Sequence, residues 1–410
     1  MGISIFRTHP PGHFAYVLNF KKSILGLQDC IATFDLKTDQ FVTNRKMPVS
    51  INDLMLSEEG NILLSYGYGY EFLTHYDKVD LYSPFAFLCK VKRLLTTKGM
   101  GTREVIPYKN KYYVRVNSCL KTPEDIASKP HQTDYQYGGI EVFEGKDPPV
   151  FKKIIYLEPT DRISDRSIIM DSKHGYLYIF VTPLEVDDPR YIRGSKFNGS
   201  QQTFMYKIDT KTDDIVAKID LSGYLRRVVS AELIQGKLYI NGFYPADYDG
   251  GFYSFPDPDA MLPEYRKDSI QEKNQILKNM EKLRLNSLKN PSRPNSILHV
   301  FNLDPFEFSH TIETQPLDQQ YLCYSPDDQK LFIVHSADKR NDKRGSVSVI
   351  DIHTEKMIDR IDIGDIDINM ACYVGQHRLY ITSPEGLFIY DTQHHQLIKK
   401  FRGYYAAIAK

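Results

Sequence analysis

SPDDQKLFIVHSADKRNDKRGSVSVIDIHTEKMIDRIDIG, residues Ser325–Gly364, is the stretch that decides the fold. It opens on a polar turn, runs into an apolar strand-like segment, and then gives a second such segment. An Asp-initiated polar turn follows, then a third run that alternates at period two. Fainter copies of its later half read CIATFDLKTDQFV (Cys30–Val42), TFMYKIDTKTDDIVAKIDL (Thr203–Leu221) and LFIYDTQHHQLIKKF (Leu387–Phe401). One β-hairpin written repeatedly along a chain of 410 residues predicts a radial array of sheets, a β-propeller.

Working outward, two kinds of hairpin alternate along the chain. One kind carries turns such as SEEG, SKHG or SPDD and covers Ile51–Tyr68, Arg103–Val116, Arg166–Val181, Val228–Gly242, Gln320–His335 and Asn369–Thr382. The other carries the Asp turn and covers Cys30–Pro48, Val79–Leu94, Ile140–Leu157, Thr203–Leu221, Ile297–Glu313, Ser346–Ile363 and Leu387–Phe401. Each consecutive pair makes a four-stranded blade, innermost strand first. A lone strand at Phe14–Phe20 precedes the first Asp-turn hairpin, and another, GYYAAIAK, runs over Gly403–Lys410. The C-terminal strand is therefore expected to complete the N-terminal blade and remove open edges. The expected fold is all-β: one closed propeller spanning residues 1–410, with about seven four-stranded blades. The stretches Tyr70–Lys78 and Cys119–Gly139 do not parse cleanly, which leaves six or eight blades open.

Residues 244–295 interrupt a blade. Their first half, YPADYDGGFYSFPDPDAMLP, reads as an irregular loop, and the following EYRKDSIQEKNQILKNMEKLRLNSLKN reads as a helix ended by Asn290 and Pro291. Ile276, Met280 and Leu283 share one face at helical spacing, so the helix is expected on the rim, as a lid, or as a docking element.

Fifty-two basic residues balance 52 acidic ones, which argues against a nucleic-acid binder built on phosphate neutralisation. No apolar run approaches the roughly twenty residues needed to span a bilayer, so no membrane role is expected. The opening MGISIFRTHPPGHFAYVLNF lacks a signal-peptide pattern, and a cytoplasmic location is expected. The five cysteines, Cys30, Cys89, Cys119, Cys323 and Cys372, form no CxxC and read as buried, reduced thiols. Trp is absent, which disfavours a Trp-Asp repeat.

Over Ser325–Gly364 the pattern of Ser-Pro-Asp turn, aromatic-aliphatic strand, Val-Ile-Asp strand, Thr in the turn and closing Ile-x-x-Gly resembles the YVTN-type β-propeller repeat. The match is good over this blade and fair over Leu387–Phe401. The resemblance implies a seven-bladed propeller and little about activity. Relatives include ligand-binding proteins, surface-layer repeats, lactonase-like hydrolases and amine dehydrogenase heavy subunits.

Asp35, Asp209, Asp351 and Asp391 each open a turn, and Thr38, Thr212 and Thr354 stand three residues on in three of them. Short polar side chains of this kind bond the local backbone, so these residues are read as turn builders rather than calcium ligands. The candidate site lies where the innermost strands begin, around the mouth of a central channel. Aligning those strands places Asn52, Arg103, Arg166, Gln320 and Asn369 at equivalent positions, with Arg227 and Tyr404 nearby. Guanidinium forks suit carboxylate or phosphate, so an anionic small molecule or an acidic protein segment is the expected ligand. Local acids such as Asp53, Glu104, Asp161 and Asp165 are the competing partners for these arginines. HExxH, GxSxG and GxxxxGK[ST] are all missing; no metal site or cofactor is expected. The leading expectation is a non-enzymatic binding scaffold. A lactonase-like hydrolase at the same mouth, and an oxidoreductase subunit resembling an amine dehydrogenase heavy chain, are the alternatives.

Overall fold

The computed structural model describes residues 14–23, 26–35, 38–46, 53–56, 62–66, 73–80, 90–100, 105–119, 137–145, 148–159, 161–183, 203–225, 227–243, 297–314, 319–335, 344–364, 371–375, 377–383, 385–402 and 404–409. Strands are numbered in chain order. The first are β1 (Phe14–Ser23), β2 (Gly26–Asp35), β3 (Gln40–Lys46), β4 (Asp53–Leu56), β5 (Ile62–Tyr66), β6 (Leu73–Asp80) and β7 (Lys90–Met100). Then come β8 (Val105–Tyr108), β9 (Lys111–Cys119), β10 (Tyr137–Glu144) and β11 (Val150–Pro159). The next sheet holds β12 (Asp161–Asp171), β13 (Tyr176–Pro183), β14 (Phe204–Asp209) and β15 (Asp214–Asp220), and the one after it β16 (Arg227–Ile234), β17 (Lys237–Phe243), β18 (Ile297–Leu303) and β19 (Phe306–Glu313). Two more follow: β20 (Gln319–Ser325), β21 (Lys330–His335), β22 (Gly345–Asp351), β23 (Lys356–Gly364), and β24 (Ala371–Gly375), β25 (Arg378–Ser383), β26 (Gly386–Asp391), β27 (Leu397–Arg402). The last strand is β28 (Tyr404–Ala409).

All these strands pair antiparallel, as the period-two runs and short polar turns predict. The hairpins read from the sequence have counterparts among the described strands, except that Val79–Leu94 is shifted: its first strand is β6, Leu73–Asp80, which takes in most of the unparsed Tyr70–Lys78 stretch, and its second is β7, Lys90–Met100. β28 pairs with β1, with Phe20 opposite Tyr404 and Tyr16 opposite Ala409, so one sheet has the order β28-β1-β2-β3. Four other sheets have four strands each in sequential order. The remaining eight strands form a single sheet, because Met100 of β7 pairs with Ser118 of β9 and joins what the sequence reads as two blades. The expected helix falls in residues 244–295, outside the described residues; among the described residues there is no helix.

Burial explains why the sequence signal differs from strand to strand. The third strand of a sheet is covered on both faces, and in β22 Gly345–Ile350 are all buried. The fourth strand is an outer edge; β15 and β27 contain no fully buried residue. The core is accordingly a series of layers between successive sheets. Tyr113, Ile140 and Val142 pack on Leu177, Ile179 and Tyr206 in one layer. Tyr178, Phe180 and Met205 pack on Leu238, Ile240 and Phe301 in the next. Each buried side chain of this size contributes about 1.5–3 kcal/mol of apolar transfer.

One expectation is corrected here. Cys30 is a buried thiol, but Cys323 on β20 is disulfide-bonded. The sequence spacing of cysteines does not reveal which strands the fold lays side by side, and so cannot exclude a bond of this kind.

Candidate functional site

In a four-stranded meander, successive connections alternate between the two ends of the sheet. The turns β12–β13, β14–β15, β20–β21, β22–β23, β24–β25 and β26–β27 therefore share one end with their counterparts in the other sheets. The first strands begin, and the second-to-third-strand connections run, at the opposite end.

At the turn end the Asp residues do what their chemistry predicts. The Asp209 carboxylate accepts the Lys211 N–H at 2.8 Å. Asp351 accepts the Thr354 N–H at 2.7 Å and its hydroxyl at 2.9 Å. Asp391 accepts the N–H groups of Gln393 and His394, both at 2.8 Å. The fifth residue of each turn has a second role that the sequence reading missed. Asp39, Asp213, Glu355 and His395 all sit at positive φ, between 52° and 59°. That left-handed backbone, uncommon for these residues, marks the end of the turn, and three of the four side chains are acids seated against the preceding sheet.

Asp213, with its side chain fully buried, accepts the Tyr113 hydroxyl at 2.7 Å, Lys111 Nζ at 2.7 Å and Lys152 Nζ at 3.0 Å. Glu355 accepts the Tyr239 hydroxyl at 2.7 Å and Lys237 Nζ at 2.9 Å. Asp39 accepts the Tyr380 hydroxyl at 2.9 Å and Arg378 Nε at 3.1 Å. In each case a cation and a tyrosine two residues later share one face of a second strand, β9, β17 or β25, and grip the acid of the following sheet. Burial alone would raise the Asp213 carboxyl, but hydrogen bonds from Lys111, Tyr113 and Lys152 outweigh it and hold its pKa below the usual carboxylate range. The same balance, with Tyr239 and Lys237 as donors, lowers Glu355. The signal was legible as Lys/Arg-x-Tyr opening a second strand together with an acid four residues after the turn Asp. The fourth copy differs: His395 replaces the acid and bonds Asp359 of β23.

The other end carries the sequence-predicted candidates. Asn52, Arg103 and Asn369 lie outside the described residues. Arg166, Arg227, Gln320 and Tyr404 fall on β12, β16, β20 and β28, each the first strand of a different sheet. These first strands touch in succession: β12 with β16, β16 with β20, β20 with β24, β24 with β28, and β28 with β4. β12 starts at Asp161, so Arg166 lies inside its strand rather than at the strand's beginning.

The register breaks at the same level in all four. Pairing of β12 with β13 shifts between Ile163 and Ile168, which brackets Arg166. Pairing of β20 with β21 shifts between Gln319 and Tyr321, which brackets Gln320. In β16 the shift lies between Val228 and Ser230, next to Arg227, and the β28–β1 ladder shifts between Leu18 and Asn19, next to Tyr405. Such bulges re-aim side chains and interrupt pairing. Arg227 pairs with Phe243, the last residue before the 244–295 insertion. A buried polar group ties two of the first strands together here: Ser230 Oγ accepts the Leu322 N–H at 3.1 Å, and Asn241 Oδ1 accepts the Ser230 N–H at 2.7 Å. Among the described residues no group of three or more His, Cys, Asp or Glu side chains is placed to hold a metal ion.

No family model matches the chain, and no curated protein is significantly similar to it in sequence. Solved structures are similar in shape. Sqt1 of Saccharomyces cerevisiae aligns over 98% of this chain and 86% of its own, with 8% identity and a TM-score of 0.54. Chaetomium thermophilum Sqt1, solved bound to the N-terminus of the ribosomal protein L10, aligns over 98% and 87% with 10% identity and a TM-score of 0.52. The β-propeller domain of Cps50 (Swd1) from Myceliophteria thermophila aligns over 94% and 95% with 11% identity and a TM-score of 0.50. At these identities the likeness speaks to architecture alone, and with the sheets above it gives the conclusion that the chain has the β-propeller fold.

Proposed function

We propose that the protein is a binding scaffold, a single ring of about seven blades that holds an acidic protein segment at the mouth of its central channel. Seven units follow if the eight-stranded sheet counts as two blades joined at Met100 and Ser118. The succession of touching first strands supports a closed ring.

The observation that carries the reading is the run of register breaks at Arg166, Gln320 and beside Arg227 and Tyr404. A bulge repeated at one level of neighbouring first strands leaves Arg166 and Gln320 out of the ladder and stands beside Arg227 and Tyr404, which keep their pairing with Phe243 and Phe20. With Arg103, three guanidiniums then match carboxylates by paired hydrogen bonds. At the turn end, by contrast, Lys111, Lys152 and Lys237 are engaged with the acids Asp213 and Glu355. A propeller of the same architecture is solved with a protein N-terminus bound, which favours a protein segment over a small anion. The 244–295 insertion departs beside Arg227 and is proposed to gate or extend the site.

The reading is tested with an array of acidic dodecapeptides and fluorescence anisotropy. Arg166→Ala, Arg227→Ala and Arg103→Ala are each expected to weaken the best binder by tenfold or more, while Lys173→Ala at the turn end leaves it unchanged. Equal affinity in all four variants overturns the proposal.

A further inference from the structure

Cys323 is disulfide-bonded, and the topology of the described strands points to Cys372 as its partner. β20 packs closely against β16, β17, β21 and β24. Of these, β24 alone carries a cysteine, Cys372. Cys30 is a buried thiol and so is not the partner; Cys119 lies on β9, in a different sheet that does not pack closely against β20.

The positions also agree along the strands. In the sequence alignment of first strands Cys323 stands three residues after Gln320, and Cys372 three residues after Asn369, the position aligned with it. Cys323 pairs with Phe332 two residues before its hairpin turn begins, and Cys372 pairs with Ile381 three residues before its own. Adjacent first strands thus hold the two cysteines at nearly the same height. Cys323 belongs to the apolar layer between the two sheets, with Phe332, Val347, Leu379 and Ile381. A disulfide joining first strands crosses that layer from one blade to the next.

We propose that Cys323 and Cys372 form a covalent staple between the first strands β20 and β24 of these two sheets. The bond closes a loop of about fifty residues, long enough for a large entropic effect on the unfolded chain. It forms when the two thiols reduce a disulfide oxidant such as oxidised glutathione. One thiolate attacks the oxidant and releases glutathione; the second attacks the mixed disulfide and releases another. Two electrons pass to the oxidant's sulfurs, and two protons follow to its thiols. The staple fixes the separation of β20 and β24, and it makes the structure sensitive to redox conditions. It also places the working protein in an oxidising environment rather than the reducing one its cysteine spacing suggests.

The experiment is disulfide mapping on the whole chain. The protein is equilibrated with oxidised glutathione, alkylated without reductant and digested with trypsin. The expected result is a joined species of the peptides ending at Lys330 and Arg378 that dithiothreitol separates. Alkylation of both cysteines before reduction, or Cys323 joined to Cys89 or Cys119, overturns the proposal. As a second readout, Cys372→Ser and the double variant with Cys323→Ser are each expected to lower the melting temperature by about 5 °C, with no further loss in the double. Dithiothreitol should lower the parent protein by the same amount and leave the variants unmoved. A parent insensitive to dithiothreitol would equally overturn it.

Discussion

The Tyr113 hydroxyl donates to the Asp213 carboxylate at 2.7 Å, across 100 residues of sequence and from one sheet to the next. Asp213 is buried and also receives Lys111 and Lys152, so the group is fully charged and fully committed. Removing the acid leaves the buried phenol and the Lys111 ammonium with only the Thr210 carbonyl to donate to. Asp213→Ala is expected to cost about 3–5 kcal/mol, and Tyr113→Phe about 1–2 kcal/mol. Lys153→Ala, which breaks an exposed pair with Asp214, should leave stability within error. Urea denaturation of the three variants separates these outcomes. Equal losses would show that the latch is no more than a surface ion pair.

These latches set an acid limit. The folded pKa values of Asp213, Glu355 and Asp328 lie below their ordinary carboxylate values. For Asp328, hydrogen bonds from Thr392, His377 and Ser325 overcome the opposing effect of burial. Groups with depressed pKa values contribute stability that is whole above the unfolded value, near 4, and lost as pH falls through the folded value. Melting temperature should therefore fall steeply below pH 4, and Asp213→Asn should flatten that limb. An unchanged limb in the variant would remove Asp213 from the account.

His299 governs a different window. It is buried on β18 beside Tyr224 and Phe308, and burial pushes its pKa down to about 4 from 6.5. The unfolded chain takes up the proton near pH 6.5 while the folded one refuses it until about 4, so stability declines as pH falls between those values and then levels off. The slope approaches about 1.4 kcal/mol per pH unit. Replacing His299 with Phe should abolish the decline between pH 6.5 and 4 while leaving the steeper loss below 4. Chemical denaturation at pH 7, 6, 5 and 4 reads both.

Gly386 opens β26 with no room for a side chain. A Cβ there would meet the Phe401 carbonyl oxygen at 2.5 Å, and that oxygen belongs to the paired backbone of β27. Gly386→Ala is expected to destabilise the protein by about 1–3 kcal/mol. Gly223→Ala, where nothing lies within 4 Å, is the control and should be near neutral. Parallel melting curves decide it.

The sheets were legible because strand alternation and turn chemistry are local. Ser325–Gly364 alone announced a polar turn, three strand-like runs and an Asp turn between the last two, and they stand as β21, β22 and β23 where the sequence puts them. The merging of β7 with β9 was not legible, since one backbone pair, Met100 with Ser118, leaves no composition signal. The latches were half legible. Asp351 was read correctly as a turn builder, but Glu355, four residues on, bonds Tyr239 over a separation of 116 residues, a partnership that only the fold reveals. Arg166 shows the same limit at the candidate site. Its alignment with Gln320 came from apolar pattern, whereas the bulge that frees it depends on how β12 meets β13.

The pairing of β1 with β28 has a mechanical side. The two strands are antiparallel, and Tyr16, early in one, lies opposite Ala409, late in the other. Tension applied through the chain ends would pull across this ladder rather than along it. The five backbone pairs from Tyr16–Ala409 to Phe20–Tyr404 would then part in turn, like a zip, instead of resisting together in shear. In a molecule held together by layered cores and buried latches, a pull on β1 against β28 would thus open the ladder between them one pair at a time.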